Sequence, residues 1–338
     1  MAKILLTGGL GFIGSHTTVE LIAEGHEVVI VDNLSNTRVE VLNGIEQISG
    51  VRPVFEQIDM SKQSDVELLC SKYQFDGCIH FAAFKAVGES VAKPLEYYNN
   101  NIASLVYLLQ NFRDNGHNNI IFSSSCTVYG QADVMPITED APVKPAESPY
   151  GNTKQVGEEI IQDAIAAHPE LKAIALRYFN PIGGHESALI GELPLGLPMN
   201  LVPFITQTAA GIREELKVFG DDYPTLDGTA IRDYIHVVDL AKAHVTSLNR
   251  LIENRNSSNY EVYNIGTGKG SSVLEAINAF EKVSGKKLNW AFAPRRAGDV
   301  IEAYADTTKA NTTLGWKAEK TIEDCMRDAW RWQQKLAE

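Results

Sequence analysis

The chain has 338 residues, 44% of them hydrophobic and 22% charged, a composition typical of a folded protein with two lobes and a cleft between them. Its formal net charge of -13 excludes binding that depends on clustered Lys and Arg, so we expect neither a nucleic-acid partner nor an anionic membrane surface. No apolar run approaches the ~20 residues that span a bilayer, and the chain opens on a strand pattern instead of a signal peptide, which predicts a cytoplasmic protein.

The cysteines and histidines show no spacing typical of a structural bridge or a metal site. Cys70, Cys78, Cys126 and Cys325 are scattered without a CxxC motif, and the eight histidines contain no HExxH pattern. We therefore predict neither a disulfide nor a bound metal.

Short β-branched runs alternate with longer amphipathic stretches through the first 180 residues, a pattern typical of βαβ units and a parallel sheet. This pattern predicts an α/β fold: a Rossmann-type doubly wound parallel sheet with a smaller α/β C-terminal substrate domain. Six runs are predicted strands: Lys3–Thr7, Glu27–Asp32, Val54–Gln57, Gly77–Phe81, Asn119–Ser123 and Ala173–Tyr178.

A change of amino-acid composition after Asn180 gives the predicted domain boundary. The stretch GGHESALIGELPLGLPMN is rich in Pro and Gly and is long for a simple connection, which indicates a functional segment. Later short strands (LKVFG, YEVYNIG, LNWAF) and helices predict a second α/β unit. We assign residues 1–180 to the first domain and 181–338 to the second, with a segment near 232–266 returning to the first.

A glycine-rich turn follows the first strand and precedes a predicted helix over residues 15–23. Glycines at Gly8, Gly11 and Gly14 let the turn close and let backbone N–H groups approach a pyrophosphate at the positive end of the helix. Asp32 ends the next strand 18 residues after Gly14, where its carboxylate can accept hydrogen bonds from an adenosine ribose diol. We predict NAD and not NADP, because a 2′-phosphate would meet Asp32 as like charge and Asn33 supplies no cation. A tight βα turn with an incidental Asp is the simpler alternative.

Tyr150 and Lys154 lie four residues apart and share one face of a predicted helix, with Ser148 as N-cap and Pro149 at the first position. Chance produces this spacing often in a chain with 12 Tyr, but this is the only such pair here. The helix dipole and the Lys154 ammonium both favour phenolate, so we expect the pKa of Tyr150 to be lowered from about 10 towards neutral.

A run of hydroxyl residues, SSSCTVYG from Ser123, follows a predicted strand and belongs at the carboxyl end of the sheet, where doubly wound folds bind ligands. Turn and capping roles for these hydroxyls are the alternative. With these motifs the chain resembles the extended short-chain dehydrogenase/reductase family, and within it the UDP-hexose 4-epimerases. The resemblance covers nearly the whole chain, through segments such as TGGLGFIGSH, VDNLSN, HFAAFKAVGESV, FSSSCTVYG, SPYGNTK, LRYFNPIG, PMNLVPFI, FGDDYPTLDGTAIRDYIHVVDLA, YNIGTG and APRRAGD.

The resemblance implies a soluble NAD enzyme of galactose metabolism, commonly a homodimer, with a UDP-hexose as substrate. Tyr150 would be the base for the C4 hydroxyl, Lys154 would tune it and bind the nicotinamide ribose, and Ser125 would hydrogen-bond the same sugar oxygen. The implied cofactor-binding positions are Gly8, Gly11, Phe12, Ile13, Gly14, Asp32, Asn33, Asp59, Met60, Phe81, Ala82, Lys85, Asn100, Ser125, Tyr150, Lys154 and Tyr178. The implied substrate-binding positions are Ser125, Tyr150, Asn180, Asn200, Leu201, Lys217, Phe219, Arg232, Arg296, Asp299 and Ala303.

The chain departs from the family pattern beside the sugar. Ala303 stands where single-substrate epimerases carry a bulky Tyr, while Tyr304 lies one position further on, where relatives place another aromatic. A methyl group there leaves space next to the sugar C2, so we expect UDP-GlcNAc and UDP-GalNAc to be accepted, unless the Tyr304 ring fills the space.

Two other functions remain as alternatives. An NDP-sugar 4,6-dehydratase begins with the same C4 oxidation, but in that subfamily the Ser125-Cys126-Thr127 position resembles Thr-Asp-Glu, and no carboxylate is present here to remove water. A non-catalytic NAD-sensing module has no need of Ser125, Tyr150 and Lys154 together.

Overall fold

The computed structural model describes residues 1–296 and 299–338. The strands are β1 (Lys3–Thr7), β2 (Glu27–Asp32), β3 (Val54–Gln57), β4 (Gly77–His80), β5 (Asn119–Ser123), β6 (Lys172–Tyr178), β7 (Asn180–Ile182), β8 (Leu216–Phe219), β9 (Ile231–Arg232), β10 (Tyr234–His236), β11 (Tyr260–Ile265), β12 (Ser271–Ser272), β13 (Trp290–Ala293) and β14 (Glu302–Ala303). The α-helices are α1 (Phe12–Ala23), α2 (Val41–Ser49), α3 (Gln63–Lys72), α4 (Val87–Ala92), α5 (Pro94–Asn115), α6 (Pro149–Ala167), α7 (Leu201–Ala209), α8 (Val237–Ile252), α9 (Val273–Ser284) and α10 (Ile322–Lys335). A 3-10 turn spans Cys126–Tyr129 and a π-helical segment spans Ala310–Leu314.

A seven-stranded parallel sheet, in the order β11-β6-β5-β4-β1-β2-β3, lies at the centre of the molecule. The chain moves outward from β1 through β2 to β3 and then returns to place β4 on the other side of β1. The crevice at this switch point, beyond the carboxyl ends of β1 and β4, is where open α/β sheets bind ligands. The predicted Rossmann-type α/β fold is confirmed.

The six strands predicted for this sheet all form, and β4 and β6 differ from the prediction by one residue at one end. The sheet contains a seventh strand, β11, which pairs with β6 in parallel register from Tyr260 opposite Ala173. Helix α1 begins at Phe12, three residues before the predicted start, because the glycine turn leads directly into the helix.

Side chains of β1 alternate between two apolar layers, as a strand covered on both faces requires. Ile4 and Leu6 pack in the layer that α1, α2 and α8 cover, and Leu5 packs in the layer that α3, α5 and α6 cover. All three side chains are fully buried, and each such side chain contributes roughly 1.5–3 kcal/mol relative to an exposed one.

The C-terminal part of the chain builds a smaller apolar core on β8, α7, α9 and α10. Strand β13 pairs in parallel with β8, while β9 pairs with β12 and β14. Within residues 1–296 and 299–338, no helix combines the length and apolarity needed to cross a bilayer. The division of the chain at residue 180 stays a prediction.

The close packing of α6 on the sheet yields a test of the fold. A Cβ at Gly157 would lie 2.7 Å from Phe122 Cζ and 3.3 Å from Leu105 Cδ2. We expect Gly157→Ala to lower the free energy of unfolding by about 1–3 kcal/mol, measured by urea denaturation, because the buried contact has no room for a methyl group.

Gly151→Ala in the same helix is the matched control, since its Cβ would lie 3.5 Å from the nearest atoms, an ordinary contact. The control should be neutral or slightly stabilising, because Ala forms helix better than Gly. Equal effects of the two substitutions would contradict this account of the α6 packing.

Candidate active site

A cleft of about 1130 Å³ runs along the carboxyl ends of the central strands and is bordered on its far side by residues 189–200 and by α10. All 17 residues predicted to bind the cofactor line this one cleft: Gly8, Gly11, Phe12, Ile13, Gly14, Asp32, Asn33, Asp59, Met60, Phe81, Ala82, Lys85, Asn100, Ser125, Tyr150, Lys154 and Tyr178. Of the predicted substrate residues, Asn200 also lines it. The structure therefore gathers residues from five βα connections, from α5 and α6 and from the end of β6 around a single space.

The glycine turn is built so that backbone reaches the cleft without side chains in the way. Gly8 has φ +69°, which L side chains rarely adopt, and a Cβ there would lie 2.9 Å from the Ala82 backbone nitrogen. At Gly14 a Cβ would collide with the Gly8 carbonyl oxygen. Gly11 is the N-cap of α1 and offers no capping side chain, so the first N–H groups of the helix face the cleft unshielded and suit an anion.

Asp32, at the end of β2, places a buried carboxylate at the next position along the cleft. Its Oδ1 accepts hydrogen bonds from Leu34 N (2.9 Å) and Thr37 Oγ1 (2.7 Å), and its Oδ2 accepts from Leu10 N (3.2 Å). Three donors fix the carboxylate but leave acceptor capacity on Oδ2, as recognition of a diol requires. Thr37 was absent from the sequence prediction, because a hydroxyl five residues beyond a strand carries no distinctive pattern.

Helix α6 begins as predicted: Ser148 is the N-cap and accepts a hydrogen bond from Gly151 N at 3.1 Å, and Pro149 is the first helical residue. This start places Tyr150 in the first turn, and Lys154 follows one turn later on the same buried face. The Lys154 Nζ lies 5.8 Å from the centroid of the Tyr150 ring and donates a hydrogen bond of 2.6 Å to the Ser123 carbonyl. The pair is thus held between α6 and the end of β5.

Burial controls the charge of both side chains. It lowers the pKa of Lys154 to about 8, because the ammonium loses water, although the nearby Glu158 carboxylate opposes the shift. Burial also raises the pKa of Tyr150 well above its usual value, an effect that Tyr178 increases and a hydrogen bond with Ser125 reduces. The expected lowering of the Tyr150 pKa is therefore wrong for the protein by itself, because loss of water outweighs the helix dipole.

Ser125 sits at the start of the 3-10 turn, where its hydroxyl accepts a hydrogen bond from Thr127 N at 3.2 Å. It interacts with the Tyr150 phenol, and it is buried with it at the cleft wall. Ser125, within the run of hydroxyls predicted at the carboxyl end of β5, thus faces the cleft. The same hydroxyl also has the capping role that was the alternative.

A buried ion pair behind this wall was not predicted. Glu158 pairs with Arg177 through hydrogen bonds of 2.9 Å and 2.5 Å and also accepts one from Ser124 Oγ at 2.5 Å. Both charged side chains are less than 9% exposed. The pair therefore fixes Ser124, the residue next to Ser125. The sequence does not indicate the pair, because Glu158 and Arg177 lie 19 residues apart and meet only in the fold.

A second group of predicted residues forms around β9 and β14. The Asp299 carboxylate accepts hydrogen bonds from Arg296 (2.9 Å and 3.0 Å) and lies 3.7 Å from Arg232, and the Arg296 guanidinium lies 5.2 Å from the Phe219 ring centroid. Lys217 lies on the same exposed face of β8 as Phe219. Burial raises the pKa of the Cys126 thiol to about 11, and the positive charge of the Arg232 guanidinium opposes this rise.

This second group borders the 3-10 turn and lies beside, not in, the large cleft. Among the described residues, those predicted for the substrate that do not line the cleft are Asn180, Leu201, Lys217, Phe219, Arg232, Arg296, Asp299 and Ala303. Most of the predicted substrate positions therefore lie outside the lining that the predicted cofactor positions share.

Ala303 ends β14 and Tyr304 follows it, and their side chains have different neighbours. Ala303, opposite Arg232 in the β9–β14 register, packs beside the buried Tyr129 and Phe179 cluster. The Tyr304 ring lies over Gly270, where a Cβ would come within 3.1 Å of its Cδ1. The structure thus places the Tyr304 ring against Gly270 and the Ala303 methyl group against the Tyr129 and Phe179 cluster.

The chain is similar over its full length to characterised proteins. A family model described as GDP-mannose 4,6 dehydratase matches residues 5–329. The UDP-glucose 4-epimerase of Bacillus subtilis (strain 168) is 49% identical over 330 residues, which cover 98% of this chain and 96% of that protein. The chain belongs to the UDP-glucose 4-epimerase family. The family predicted from the sequence motifs is confirmed.

Solved structures of UDP-glucose 4-epimerase family members share the fold. The Stenotrophomonas maltophila enzyme, with bound NAD and formylated UDP-arabinopyranose, has a TM-score of 0.96 at 46% identity and covers 100% of this chain and 99% of its own. The Bifidobacterium longum enzyme, in complex with NAD+ and UDP, has a TM-score of 0.94 at 46% identity and covers 98% of both chains. The Rossmann-type sheet and the smaller C-terminal domain are thus common to this family.

The buried ammonium predicts a pH dependence of stability. The pKa of Lys154 is about 8 in the folded protein, below its value of 10.5 in water, so the unfolded chain binds more protons between these values and stability rises with pH. Relative to Lys154→Met, which cannot titrate, we expect the wild type to gain about 2 kcal/mol from about pH 7.5 to about pH 9.5 in urea denaturation. A difference that does not vary with pH would contradict the burial of a charged Lys154.

Proposed function

We propose that this chain is an NAD-dependent UDP-glucose 4-epimerase, which interconverts UDP-glucose and UDP-galactose by transient oxidation at C4. The observation that carries the proposal is the meeting of Ser125, Tyr150 and Lys154 in the same cleft as the glycine turn and Asp32. Its family membership supports the same activity, since the relatives compared above bear this name.

The cleft suits NAD at both of its polar ends. The open backbone of Gly8 to Gly14 fits a pyrophosphate, because this close turn, in which a Cβ at Gly8 or Gly14 would collide with backbone atoms, brings the N–H groups at the start of α1 to the cleft. The Asp32 carboxylate fits the adenosine ribose diol and repels a 2′-phosphate. Lys154, with its ammonium beside the Tyr150 ring, is placed to bind the nicotinamide ribose. When bound, NAD supplies the hydride acceptor for C4 and a positive charge beside the phenol.

Tyr150 acts as the general base that takes the proton from the sugar C4 hydroxyl and later returns it to the same oxygen when C4 is reduced on its opposite face. Since burial raises its pKa, the phenol depends on neighbouring positive charge to reach the phenolate form. Lys154 supplies such a charge from within the protein, and Ser125 donates a hydrogen bond to the same sugar oxygen. The base and the hydroxyl therefore act on one sugar oxygen, and the ammonium acts on the base.

The UDP moiety is assigned to the second group of residues, around Arg232, Arg296 and Phe219. Two guanidinium groups suit phosphate oxygens, and Phe219 offers an exposed ring at the same edge. Asn200, at the N-terminus of α7, adds an amide on the cleft side. Because the net charge of the chain is -13, such local donors are needed to hold a diphosphate.

The test of this function is the conversion of UDP-galactose to UDP-glucose by the purified protein. Tyr150→Phe should lower kcat by about 10²–10⁴-fold with the bound NAD content unchanged, because it removes only the proton acceptor. Released nucleotide, measured optically after denaturation, is the control for cofactor loss. Unchanged turnover in Tyr150→Phe would contradict the assignment of the base.

We extend the proposal to the N-acetylated sugars, UDP-GlcNAc and UDP-GalNAc. Ala303 has a single methyl group, and the adjacent Tyr304 ring lies over Gly270. A methyl group takes up less room next to the sugar C2 than the bulky Tyr of single-substrate epimerases, which supports the acceptance of an acetamido group.

Ala303→Tyr should lower kcat/KM for UDP-GalNAc by about 10-fold or more while changing that for UDP-galactose by less than about 3-fold, since the ring excludes only the acetamido group. Steady-state kinetics on both substrates measure this. Tyr304→Phe is the matched control and should leave the ratio of the two substrates unchanged. Wild-type protein without turnover of UDP-GalNAc would refute the extension.

The alternatives receive less support. A 4,6-dehydratase needs a free acid and base near C5 and C6, yet the turn after Ser125 continues with Cys126 and Thr127, and the nearby Glu158 is bound by Arg177. A non-catalytic NAD module gives no reason for a base and an ammonium beside the nicotinamide position. The homodimer and the cytoplasmic location stay predictions.

A further inference from the structure

A side chain that neither prediction includes, Glu192, contacts one residue predicted for the substrate and one predicted for the cofactor. One oxygen of its carboxylate, Oε1, accepts a hydrogen bond from Asn200 Nδ2 at 2.6 Å and lies 3.5 Å from Lys85 Nζ. Asn200 begins α7 on the substrate side, and Lys85 follows β4 on the cofactor side. The carboxylate therefore spans the cleft between residues assigned to different ligands.

The position of Glu192 is fixed by the C-terminal helix. Its backbone carbonyl accepts a hydrogen bond of 2.9 Å from the indole Nε1 of Trp332, on α10. The preceding Gly191 lies flat against the same indole, so closely that a Cβ would overlap Trp332 Cδ1 and Cγ. Only 12% of the Glu192 side chain is exposed, whereas 54% of the Lys85 side chain is. The carboxylate is thus the fixed member of the set, and the long lysine is the mobile one.

A fixed anion lowers the entropy that its partners lose when ligands bind. An isolated lysine side chain at the surface samples many rotamers, and ordering it costs part of the binding free energy. Glu192 draws the Lys85 ammonium and the Asn200 amide to one oxygen, so both face the cleft before a ligand arrives. The free Oε2 keeps further acceptor capacity beside them.

We propose that Glu192 is a positioning residue of this enzyme, which holds Asn200 and Lys85 in a fixed mutual placement and thereby raises the affinity for the UDP-sugar. The proposal rests on the function proposed above. Glu192 touches no reacting atom, so its removal should act on binding and spare the chemical step. Trp332 supports it by holding the backbone of residues 191 and 192.

The experiment uses the full-length, NAD-loaded enzyme and the variants Glu192→Ala and Glu192→Gln. Glu192→Ala should raise KM for UDP-galactose and the Kd of UDP about 10-fold, with kcat within about 3-fold of wild type. Glu192→Gln should raise both by only about 3-fold, because an amide oxygen still accepts from Asn200 while the attraction for Lys85 is lost. Steady-state kinetics give KM and kcat, and isothermal titration calorimetry gives the Kd of UDP.

Glu186→Ala is the matched control, an exposed carboxylate in the same segment, and it should leave KM and Kd unchanged. Lys85→Met combined with Glu192→Ala should raise KM by less than the product of the two single effects, since both remove one interaction. Unchanged KM and Kd in Glu192→Ala, or a loss confined to kcat, would overturn the role of Glu192. Wild-type protein that does not convert UDP-galactose would contradict the proposed function instead, and the Kd of UDP would still test Glu192.

Discussion

The hydrogen bond from the Lys154 ammonium to the Ser123 carbonyl connects the sheet to the helix that carries the proposed base. It places a buried cation at the carboxyl end of β5, and it requires α6 to lie directly against that strand. The absence of a side chain at Gly157 makes this approach possible. The locations of Tyr150 and Ser125 follow from it, because Tyr150 lies on this helix and Ser125 lies two residues beyond this strand.

Enclosing a cation has a cost, which the surrounding residues offset in part. Desolvation lowers the pKa of Lys154 to about 8, and the Glu158 carboxylate, one turn further along α6, acts in the opposite direction. Glu158 is itself buried and is compensated by Arg177 and by the hydroxyl of Ser124. Removing one member of such a pair leaves an uncompensated buried charge, which is strongly destabilising. On the side away from the cleft, Arg177 therefore stabilises the charge of Glu158, and Glu158 in turn stabilises the charge of Lys154.

How far the sequence predicted the site depends on how local each interaction is. The glycine turn, Asp32 and the Ser148-Pro149 helix start follow from patterns within a few residues, and the structure shows these elements where the patterns indicate them. Thr37, Glu158 and Glu192 were missed, because their partners are set by tertiary packing and the residue types are common. The pKa of Tyr150 was predicted in the wrong direction for a related reason: the helix dipole can be read from sequence, whereas the extent of burial cannot.

The same reasoning explains why the cofactor and substrate residues occupy separate regions. The parallel sheet presents its glycine turn and Asp32 at the switch point, so the cofactor positions follow from strand order alone. Arg232, Phe219 and Ala303 lie on short strands of a second, irregular layer, which the main sheet does not position. Reaction at one sugar carbon needs both regions in a fixed relation. Polar contacts from Glu192 to Lys85 and Asn200 contribute to that relation on the cleft side, because the backbone of Glu192 is anchored on α10 and not on the sheet.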